Sequence, residues 1–377
     1  MILCFRDVSG KRGSSMRPTR RLGLLTAGGD CPGLNAVIRA VTKAGLRQDP
    51  PVEVIGILDG YAGLVTGQTR LLTDADVSGI LPRGGTILGT SNRDNPFNFM
   101  GPADKKPRDR SKDALATLER ERLDGLIAVG GDGTLRCALD FKKRGVPVIG
   151  VPKTIDNDIE GTDISFGFDT ALSIVTEAVD RLHTTAESHH RVLLCEVMGR
   201  NAGWIALRAG IAGGGDVILI PEIPYDMRAV SAFLIERVKR GKHFSIVVVA
   251  EGARPKGGQA VIQGTSRGAD RRPRLGGISY RVAREIERAS ELETRVVILG
   301  HLQRGGTPTA YDRWLATHFG VHAVQLAIQG NWGRMVSLRE TRISDIPISE
   351  AVRKSRRVDP RGQDVRAARE VGSCFGH

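Results

Sequence analysis

The sequence predicts an α/β fold of two Rossmann-like, three-layer α/β/α domains with mainly parallel sheets. Short apolar runs of strand length alternate with runs of helical length through most of the 377 residues. This alternation is typical of βαβ units, which place parallel strands side by side. Many apolar runs end in glycine turns, and the chain contains 47 glycines, as expected where strands turn tightly into helices. Two successive runs of this pattern, before and after about residue 165, predict two domains.

The elements follow in order along the chain. Strands are predicted at 21–26, 52–58, 124–129, 147–151, 191–197, 216–220, 245–250 and 295–299. Helices are predicted at 36–46, 112–122, 135–144, 169–188, 226–240, 277–290 and 311–329, with a further helix ending near residue 212. The segment 255–274, rich in Gly, Arg and Gln, is expected to be an exposed loop, and the pattern weakens from residue 343.

Composition limits the kind of partner. The net charge is +13, which fits either nucleic acid or anionic small molecules. Aromatic residues make up only 5% of the chain and do not interleave with basic ones as base-stacking sites do. Anionic metabolites are therefore favoured, and no nucleic-acid partner is expected. No apolar run is long enough to span a membrane, and five cysteines without a CxxC pair point to the reducing cytoplasm.

One stretch has the residues of a catalytic loop. Lys153, Thr154, Asp156 and Asp158 follow directly on a predicted strand, at the end where ligands bind in α/β sheets. Phosphoryl transfer to an alcohol needs a carboxylate base, a second polar group and a nearby cation. The alternative is a plain turn after a strand, because Asp-Asn-Asp is good turn chemistry.

Two glycine turns have the character of phosphate-binding loops. Gly130–Thr134 joins a strand to a helix, and Gly28–Asp30 ends the first strand. The amides of such turns and the N-terminus of the helix favour anions, and Asp132 is well placed to hold Mg²⁺. Neither GxxxxGK[ST] nor GxGxxG is present. The alternative is a tight turn whose aspartate caps a helix.

Arginines recur at strand ends. They are Arg93, Arg191, Arg200, Arg295 and Arg304, with His301 close to the last. Guanidinium groups bind phosphate through paired hydrogen bonds, although a single arginine is usually a solvated surface residue. Together with the glycine turns and the carboxylates, they predict phosphoryl transfer between two phosphate-bearing molecules.

This set of motifs resembles the 6-phosphofructokinase family, of the bacterial phosphofructokinase A type and its mixed-substrate group. GGDCPGLNAVIR, AVGGDGT, PKTIDNDI, EVMGR and LGHLQRGGTPTAYDR follow one another between about residues 21 and 330. The resemblance implies an active site in the cleft between the two domains. The domain plan is a disordered tail at 1–20, a nucleotide-binding α/β domain at 21–167 to which about 303–350 returns, a sugar-phosphate-binding α/β domain at 168–302 and a basic C-terminal segment at 351–377.

The implied activity is that of an ATP-dependent 6-phosphofructokinase, a phosphotransferase of glycolysis. It transfers the γ-phosphoryl group of ATP to the 1-hydroxyl of fructose 6-phosphate, giving fructose 1,6-bisphosphate and ADP, with Mg²⁺ as cofactor. The implied assembly is a cytoplasmic, allosteric homo-oligomer, a tetramer or dimer that shares active-site arginines across subunits. Arg39 and Lys43 resemble effector-binding positions of some relatives, or equally a solvated helix face.

The resemblance also implies a role for individual residues. Asp156 is the general base, with Thr154 and Asp158 beside it, and Arg200 also steadies transition-state charge. The other implied substrate-binding residues are Arg191, Met198, Gly199, Glu251, Arg295, His301 and Arg304. Of these, Arg191 and Arg295 reach the 6-phosphate from a neighbouring subunit. The implied nucleotide-binding residues are Gly29, Tyr61, Arg93, Gly131, Asp132, Gly133 and Thr134, with Asp132 as the metal ligand.

Two positions bear on the phosphoryl donor. Pyrophosphate-using relatives generally have an aspartate in place of Gly133, which would crowd the α-phosphate of ATP, and they have lysine at the position of Lys153. Glycine with lysine resembles the mixed-substrate group, whose members with this pairing use ATP. ATP is therefore favoured over the alternative, a pyrophosphate-dependent fructose 6-phosphate 1-phosphotransferase.

Two other classes of protein stay open. A non-catalytic sugar-phosphate-binding regulatory protein would be expected to lack Asp156 or Asp132, and both are present. A kinase of the lipid/NAD branch shares the GGDGT turn, but the TIDND and MGR motifs belong to sugar-phosphate recognition and argue against it.

Overall fold

The computed structural model describes residues 20–101, 104, 106–265 and 273–377. Residues 1–19 of the predicted tail and part of the predicted loop at 255–274 therefore lie outside the described residues. In the part of the chain that is described, no helix is long and apolar enough to cross a membrane.

Strands and helices alternate along most of the chain. The strands are β1 (Arg21–Thr26), β2 (Glu53–Ile57), β3 (Thr69–Leu72), β4 (Gly125–Gly130), β5 (Val148–Pro152), β6 (Val192–Val197), β7 (Val217–Leu219), β8 (Ser245–Ala250), β9 (Ile262–Thr265), β10 (Pro273–Leu275), β11 (Thr294–Ile298), β12 (Arg334–Arg339) and β13 (Arg342–Pro347). The helices are α1 (Leu34–Leu46), α2 (Tyr61–Thr66), α3 (Ser111–Arg120), α4 (Asp132–Lys143), α5 (Phe168–His189), α6 (Trp204–Ala212), α7 (Met227–Lys239), α8 (Ile278–Ser290), α9 (Ala310–Ile328), α10 (Ile348–Ala351) and α11 (Gln363–Glu370). Short 3-10 turns lie at Pro96–Asn98 and Gly300–Arg304.

The chain forms two compact units, and each of them uses several segments. Unit 1 comprises the described residues up to Thr154, together with Ile159–Phe166 and Thr307–Lys354. Unit 2 comprises Ile155–Asp158, Gly167–Gly306 and Ser355–His377. The predicted catalytic stretch therefore begins in unit 1 and continues in unit 2.

Unit 1 is built on a seven-stranded sheet of order β13-β12-β5-β4-β1-β2-β3. Only the outermost strands, β3 and β13, run antiparallel to their neighbours. β4 and β5 are buried along their whole length, which explains their nearly continuous apolar sequences. Because β1, β4 and β5 are parallel neighbours, the loops at their carboxyl ends lie at one edge of the sheet.

Unit 2 is built on a four-stranded parallel sheet of order β11-β6-β8-β7. Its core includes Leu194, Val247, Val249 and Ile286. The outer edge of β7 is covered by a later part of the chain. The Ile218 amide donates to the Cys374 carbonyl at 2.9 Å, so β7 is not an open edge.

The α/β fold with mainly parallel sheets is confirmed, but several segments differ from the sequence-based predictions. β3, β12 and β13 were not predicted, because their short runs mix apolar residues with arginine. Within 255–274, β9 and β10 pair antiparallel, and every residue of β9 is exposed, so no apolar pattern marks it. The basic C-terminal segment predicted at 351–377 carries the helix α11. Residues from Ser355 onward belong to unit 2, and Phe375 is buried there.

Candidate functional site

The predicted site residues are divided between the two units. Unit 1 holds Gly29, Tyr61, Arg93, Gly131, Asp132, Gly133, Thr134, Lys153 and Thr154. Unit 2 holds Asp156, Asp158, Arg191, Met198, Gly199, Arg200, Glu251, Arg295, His301 and Arg304.

In unit 1, three loops converge around Gly28. A Cβ built on Gly28 would lie 3.4 Å from Thr134 Oγ1 and 3.5 Å from Lys153 Nζ. Gly28 has a φ of +83°, a region that favours glycine. A fourth segment joins them, since the Thr90 hydroxyl donates to the Gly28 carbonyl at 2.7 Å. The Gly28 amide in turn donates to the Ser91 carbonyl at 2.9 Å, which brings the loop of Arg93 to the same place.

The N-terminus of α4 lies beside the loops that converge around Gly28. α4 begins at Asp132, and no side chain caps it, because Gly131 is its N-cap residue. Uncapped amides at a helix N-terminus favour phosphate. Asp132 is half-exposed, and its carboxylate pairs with Arg136 one turn later at 2.9 Å. As an ordinary helix-surface ion pair, this contact adds little stability, so the Asp132 carboxylate can exchange it for a ligand at small cost.

Tyr61 supports this loop from inside the unit. Its hydroxyl donates to the Thr134 carbonyl at 2.9 Å, and its ring stacks on Phe141. The side chain is only 2% exposed, and burial raises the pKa of Tyr61 well above its ordinary value. The Tyr61 side chain therefore fixes the position of Thr134, and its contact with a nucleotide stays a prediction.

Lys153 is a buried cation at the glycine turns. Its side chain is 2% exposed. Its ammonium group donates to the Gly29 carbonyl, and its amide donates to the Gly130 carbonyl at 3.0 Å. Next along the chain, the Thr154 carbonyl accepts from the Ser165 hydroxyl at 2.9 Å. The Lys153 ammonium group therefore lies against the Gly28–Asp30 turn, and the Lys153 backbone is bonded to the start of the Gly130–Thr134 turn.

Asp132 is the one predicted metal ligand. Over residues 20–101, 104, 106–265 and 273–377, no three His, Cys, Asp or Glu side chains are grouped so as to hold a metal ion. Mg²⁺ at phosphoryl-transfer sites is usually held by one or two carboxylates, with phosphate oxygens and waters as the other ligands. A single half-exposed carboxylate beside uncapped helix amides fits that kind of Mg²⁺ site.

In unit 2, the loops after β6 and β8 pack closely together. The Arg200 amide donates to Glu251 Oε1 at 3.1 Å. Gly252 makes this approach possible, because a Cβ there would lie 1.7 Å from the Arg200 carbonyl oxygen. Arg200 has a φ of 45°, in the left-handed region, and strain of this kind is concentrated at functional sites.

Two carboxylates influence each other in this part of unit 2, the buried Asp156 and the half-buried Glu251. Asp156 is 6% exposed. Burial, followed by the negative charge of Asp156, raises the pKa of Glu251 to about 7, although the hydrogen bond from Arg200 opposes the shift. Two acidic side chains that influence each other inside a protein are a common arrangement for moving protons.

Gln303 is a residue of this group that the sequence reasoning missed. It is fully buried. Its Oε1 accepts from the Met198 amide at 3.2 Å, and its Nε2 donates to the Gly300 carbonyl at 3.0 Å. Gln303 thus ties the 3-10 turn that carries His301 and Arg304 to the loop after β6. Its place between these two residues in LGHLQRGG was the available signal.

Arg191 and Arg295 do not join this group. They lie at the amino ends of β6 and β11, whereas Arg200 and Glu251 follow the carboxyl ends of β6 and β8. At about 3.3 Å per residue, the six residues of β6 separate the two ends by roughly 16 Å or more. Both arginines contact Glu293, Arg191 through Nε at 2.8 Å. They therefore form a second, separate basic pair on unit 2.

The possible effector positions lie on α1. Lys43 forms an ion pair with Asp74, within unit 1. This contact accounts for Lys43 without a ligand, and an effector site at Arg39 and Lys43 stays a prediction.

Comparisons with known proteins agree with one another. The sequence profile described as "Phosphofructokinase" matches residues 21–327. The chain is 52% identical over 360 residues to a Chloroflexus aurantiacus protein named "ATP-dependent 6-phosphofructokinase", covering 95% of this chain and 98% of that protein. It is 50% identical over 360 residues to a Streptomyces coelicolor protein named "Pyrophosphate--fructose 6-phosphate 1-phosphotransferase", covering 94% of this chain and all of that protein.

A solved structure is also similar. The phosphofructokinase from Saccharomyces cerevisiae aligns with a TM-score of 0.76 at 31% identity, over 88% of this chain and 45% of that one. A profile match over most of the chain, relatives of half-identical sequence and a shared fold all lead to the same conclusion. The chain belongs to the phosphofructokinase family.

Proposed function

We propose that this protein is an ATP-dependent 6-phosphofructokinase that phosphorylates the 1-hydroxyl of fructose 6-phosphate. The observation that carries the proposal is the pair of residue sets described above. Unit 1 groups two glycine turns, an uncapped helix start and Lys153, which together suit a polyphosphate. Unit 2 groups the buried Asp156 and the half-buried Glu251 with the Arg200 loop, which together suit a sugar phosphate and a proton transfer.

In this mechanism Asp156 accepts the proton of the 1-hydroxyl as that oxygen becomes a nucleophile. An ordinary aspartate is ionised at neutral pH, so no unusual pKa is required of it. Asp158 supports the loop, Thr154 contacts the phosphoryl group in transfer, and Arg200 balances the charge that develops there. Met198, Gly199, Glu251, His301 and Arg304 hold the sugar phosphate.

The unit 1 residues hold the donor. Gly29, Gly131, Gly133 and Thr134 offer turn and helix amides to the phosphates, and Arg93 adds a cation. Asp132 is the residue that would hold Mg²⁺, which supplies charge neutralisation to the phosphates when it is bound.

The choice of ATP over pyrophosphate rests on Gly133. Gly133 is exposed in the first turn of α4, where an aspartate would place a negative charge beside the α-phosphate of ATP. Overall identity does not decide the donor, because relatives named for ATP and for pyrophosphate are 52% and 50% identical to this chain. Lys153 favours the alternative, a pyrophosphate-dependent enzyme, because its buried ammonium group lies at the Gly28–Asp30 turn.

The donor is tested by assaying the purified protein with fructose 6-phosphate, Mg²⁺ and either ATP or pyrophosphate. We expect turnover with ATP. Turnover with pyrophosphate and none with ATP would reverse the choice of donor, and no fructose 1,6-bisphosphate from either donor would reject the function. The variant Gly133→Asp is expected to lose ATP turnover, whereas Asp140→Asn, at the far end of the same helix, should not.

We further infer a cytoplasmic homo-oligomer, a dimer or tetramer, in which Arg191 and Arg295 serve the active site of a neighbouring subunit. Their distance from Arg200 and Glu251 along the strands supports this arrangement. The four described cysteines Cys31, Cys137, Cys195 and Cys374 are free, which fits a reducing compartment. Mixing an inactive Asp156→Asn chain with an inactive Arg295→Ala chain should restore part of the activity. No recovery in a mixed oligomer would show that the arginines act in their own chain.

A further inference from the structure

The backbone of the proposed catalytic loop is held by a distant part of unit 2. The Arg356 amide donates to the Asp158 carbonyl at 2.8 Å. The Ser355 hydroxyl donates to the same carbonyl at 3.2 Å, and Arg356 Nη1 donates to the Asn157 carbonyl at 3.2 Å. All of these residues belong to unit 2, although almost 200 positions in the sequence separate them.

We propose that Arg356 is a positioning residue for the phosphoryl transfer, fixing the loop Ile155–Asp158 so that the Asp156 carboxylate meets the substrate hydroxyl. The inference rests on the proposed function, in which Asp156 is the base. It gives a role in catalysis to a segment that the sequence marks only as basic.

The loop conformation requires such support. Asn157 has a φ of 52°, in the left-handed region. Asparagine tolerates this region better than most residues do, but at a cost relative to ordinary backbone. Asn157 separates the two carboxylates Asp156 and Asp158, so a change of its backbone would redirect both. Arg356 bonds to the carbonyl of the strained residue itself, and its amide bonds to the next one.

Arg356 is itself held on two sides. Its guanidinium lies over the Trp204 ring, 4.2 Å from the ring centroid, and the Trp204 indole N–H donates to the Arg356 carbonyl at 3.3 Å. Two residues later, the Val358 amide donates to Glu222 Oε1 at 3.0 Å, and the same carboxylate accepts from the Gly203 amide. The start of α6 thus anchors Arg356, and a planar guanidinium suits both the stacking and the hydrogen bond.

The expected kinetic signature is specific. Arg356 is proposed to act on the orientation of the base and not on substrate binding. Its loss should therefore lower kcat and leave the half-saturating concentrations of both substrates nearly unchanged. Misplacing a catalytic group by about 1 Å costs roughly 100-fold in rate, so we expect a ten- to hundred-fold lower kcat for Arg356→Ala.

The experiment compares Arg356→Ala with Arg357→Ala in the full chain. Arg357 is the neighbouring arginine, its side chain is exposed, and its removal makes the same change of charge, so its kcat should equal that of the wild type. A second comparison places Arg356→Ala in an Asp156→Asn chain, where no base remains to be oriented. In that chain, Arg356→Ala should lower kcat by less than about a further two-fold, because the effects of coupled residues do not add.

Several outcomes overturn the inference. The first is a kcat of Arg356→Ala within about two-fold of the wild type. The second is an equal loss of kcat in Arg357→Ala. The third is that Arg356→Ala lowers kcat by the same factor in the Asp156→Asn chain as in the wild type. If Arg356→Ala does not fold, Arg356→Lys carries the test, because it keeps the charge and loses the planar group. We expect its kcat to fall several-fold, and an unchanged kcat overturns the inference. The proposed function fails separately if the wild type makes no fructose 1,6-bisphosphate from either donor, and the base assignment fails if the wild type and Asp156→Asn turn over equally.

Discussion

The contact between Arg200 and Gly252 can be tested by adding one methyl group. In Gly252→Ala, the new Cβ would lie 1.7 Å from the Arg200 carbonyl oxygen. Real Cβ atoms are essentially never found within 3.0 Å of such an atom, so the two loops must separate by about 1.3 Å. This shift would lengthen the bond between the Arg200 amide and Glu251, which is 3.1 Å in the native protein. A displacement of about 1 Å at reacting groups costs roughly 100-fold in rate, so we expect kcat to fall by about that factor.

The assay is steady-state turnover with ATP and fructose 6-phosphate, together with the thermal unfolding of each variant. Overpacking of this kind costs about 1–3 kcal/mol, so the variant should still be folded at room temperature. Gly257→Ala is the control, because nothing lies within 4 Å of its added Cβ, while its φ of +75° is itself unfavourable for alanine, so this variant has backbone strain without the clash. A folded Gly252→Ala protein with kcat within about three-fold of the wild type would show that the closeness of these loops does not matter for turnover.

Three further predictions concern carboxylates. Asp156→Asn should bind fructose 6-phosphate normally and lose about 10²- to 10⁴-fold in kcat; equilibrium binding and turnover measure this, and near-normal turnover contradicts the base assignment. The pKa of Glu251 is raised to about 7, so its carboxyl is protonated at lower pH and ionised at higher pH. We compare the half-saturating concentration of fructose 6-phosphate in the wild type with that in Glu251→Gln. The ratio of wild type to variant should fall as pH rises through 7, and a constant ratio contradicts a role for the ionisation of Glu251. Glu293 holds Arg191 and Arg295 side by side. Glu293→Gln should therefore raise the half-saturating concentration of fructose 6-phosphate several-fold at unchanged kcat. A fall in kcat alone would argue against a role of this arginine pair in substrate binding.

The central strands could be predicted because their local sequence and their tertiary environment agree. β1 was predicted at its observed bounds, since a buried parallel strand is a short apolar run and a glycine turn ends it. β9 could not be predicted in this way, because all four of its residues are exposed and carry no apolar pattern. β12 and β13 begin with arginine, and their pairing depends on partners far away in the sequence.

The site residues divide in the same way, into those that a local sequence pattern predicts and those that depend on distant contacts. Lys153 and Asp132 were predicted because each follows a recognisable strand end. Gln303 and Arg356 act through hydrogen bonds to the backbone of remote loops. The residue types do not reveal such contacts, although Gln303 stands between His301 and Arg304 in LGHLQRGG. The separation of Arg295 from Arg200 depends on the direction of β11 and β6 in the sheet, which the residue types alone do not specify.

The order of synthesis has a consequence for unit 1. β12 pairs with β5, and α9 packs on α1, yet Gly167–Gly306 of unit 2 is made before either of these partners. A nascent chain that has reached Phe166 therefore carries a free edge on β5 and an uncovered apolar face on α1. Such surfaces attract chaperones and promote aggregation. A fragment ending at Phe166 should accordingly be insoluble, and expression of the glycine-turn region alone would require Thr307–Lys354 to be joined to it.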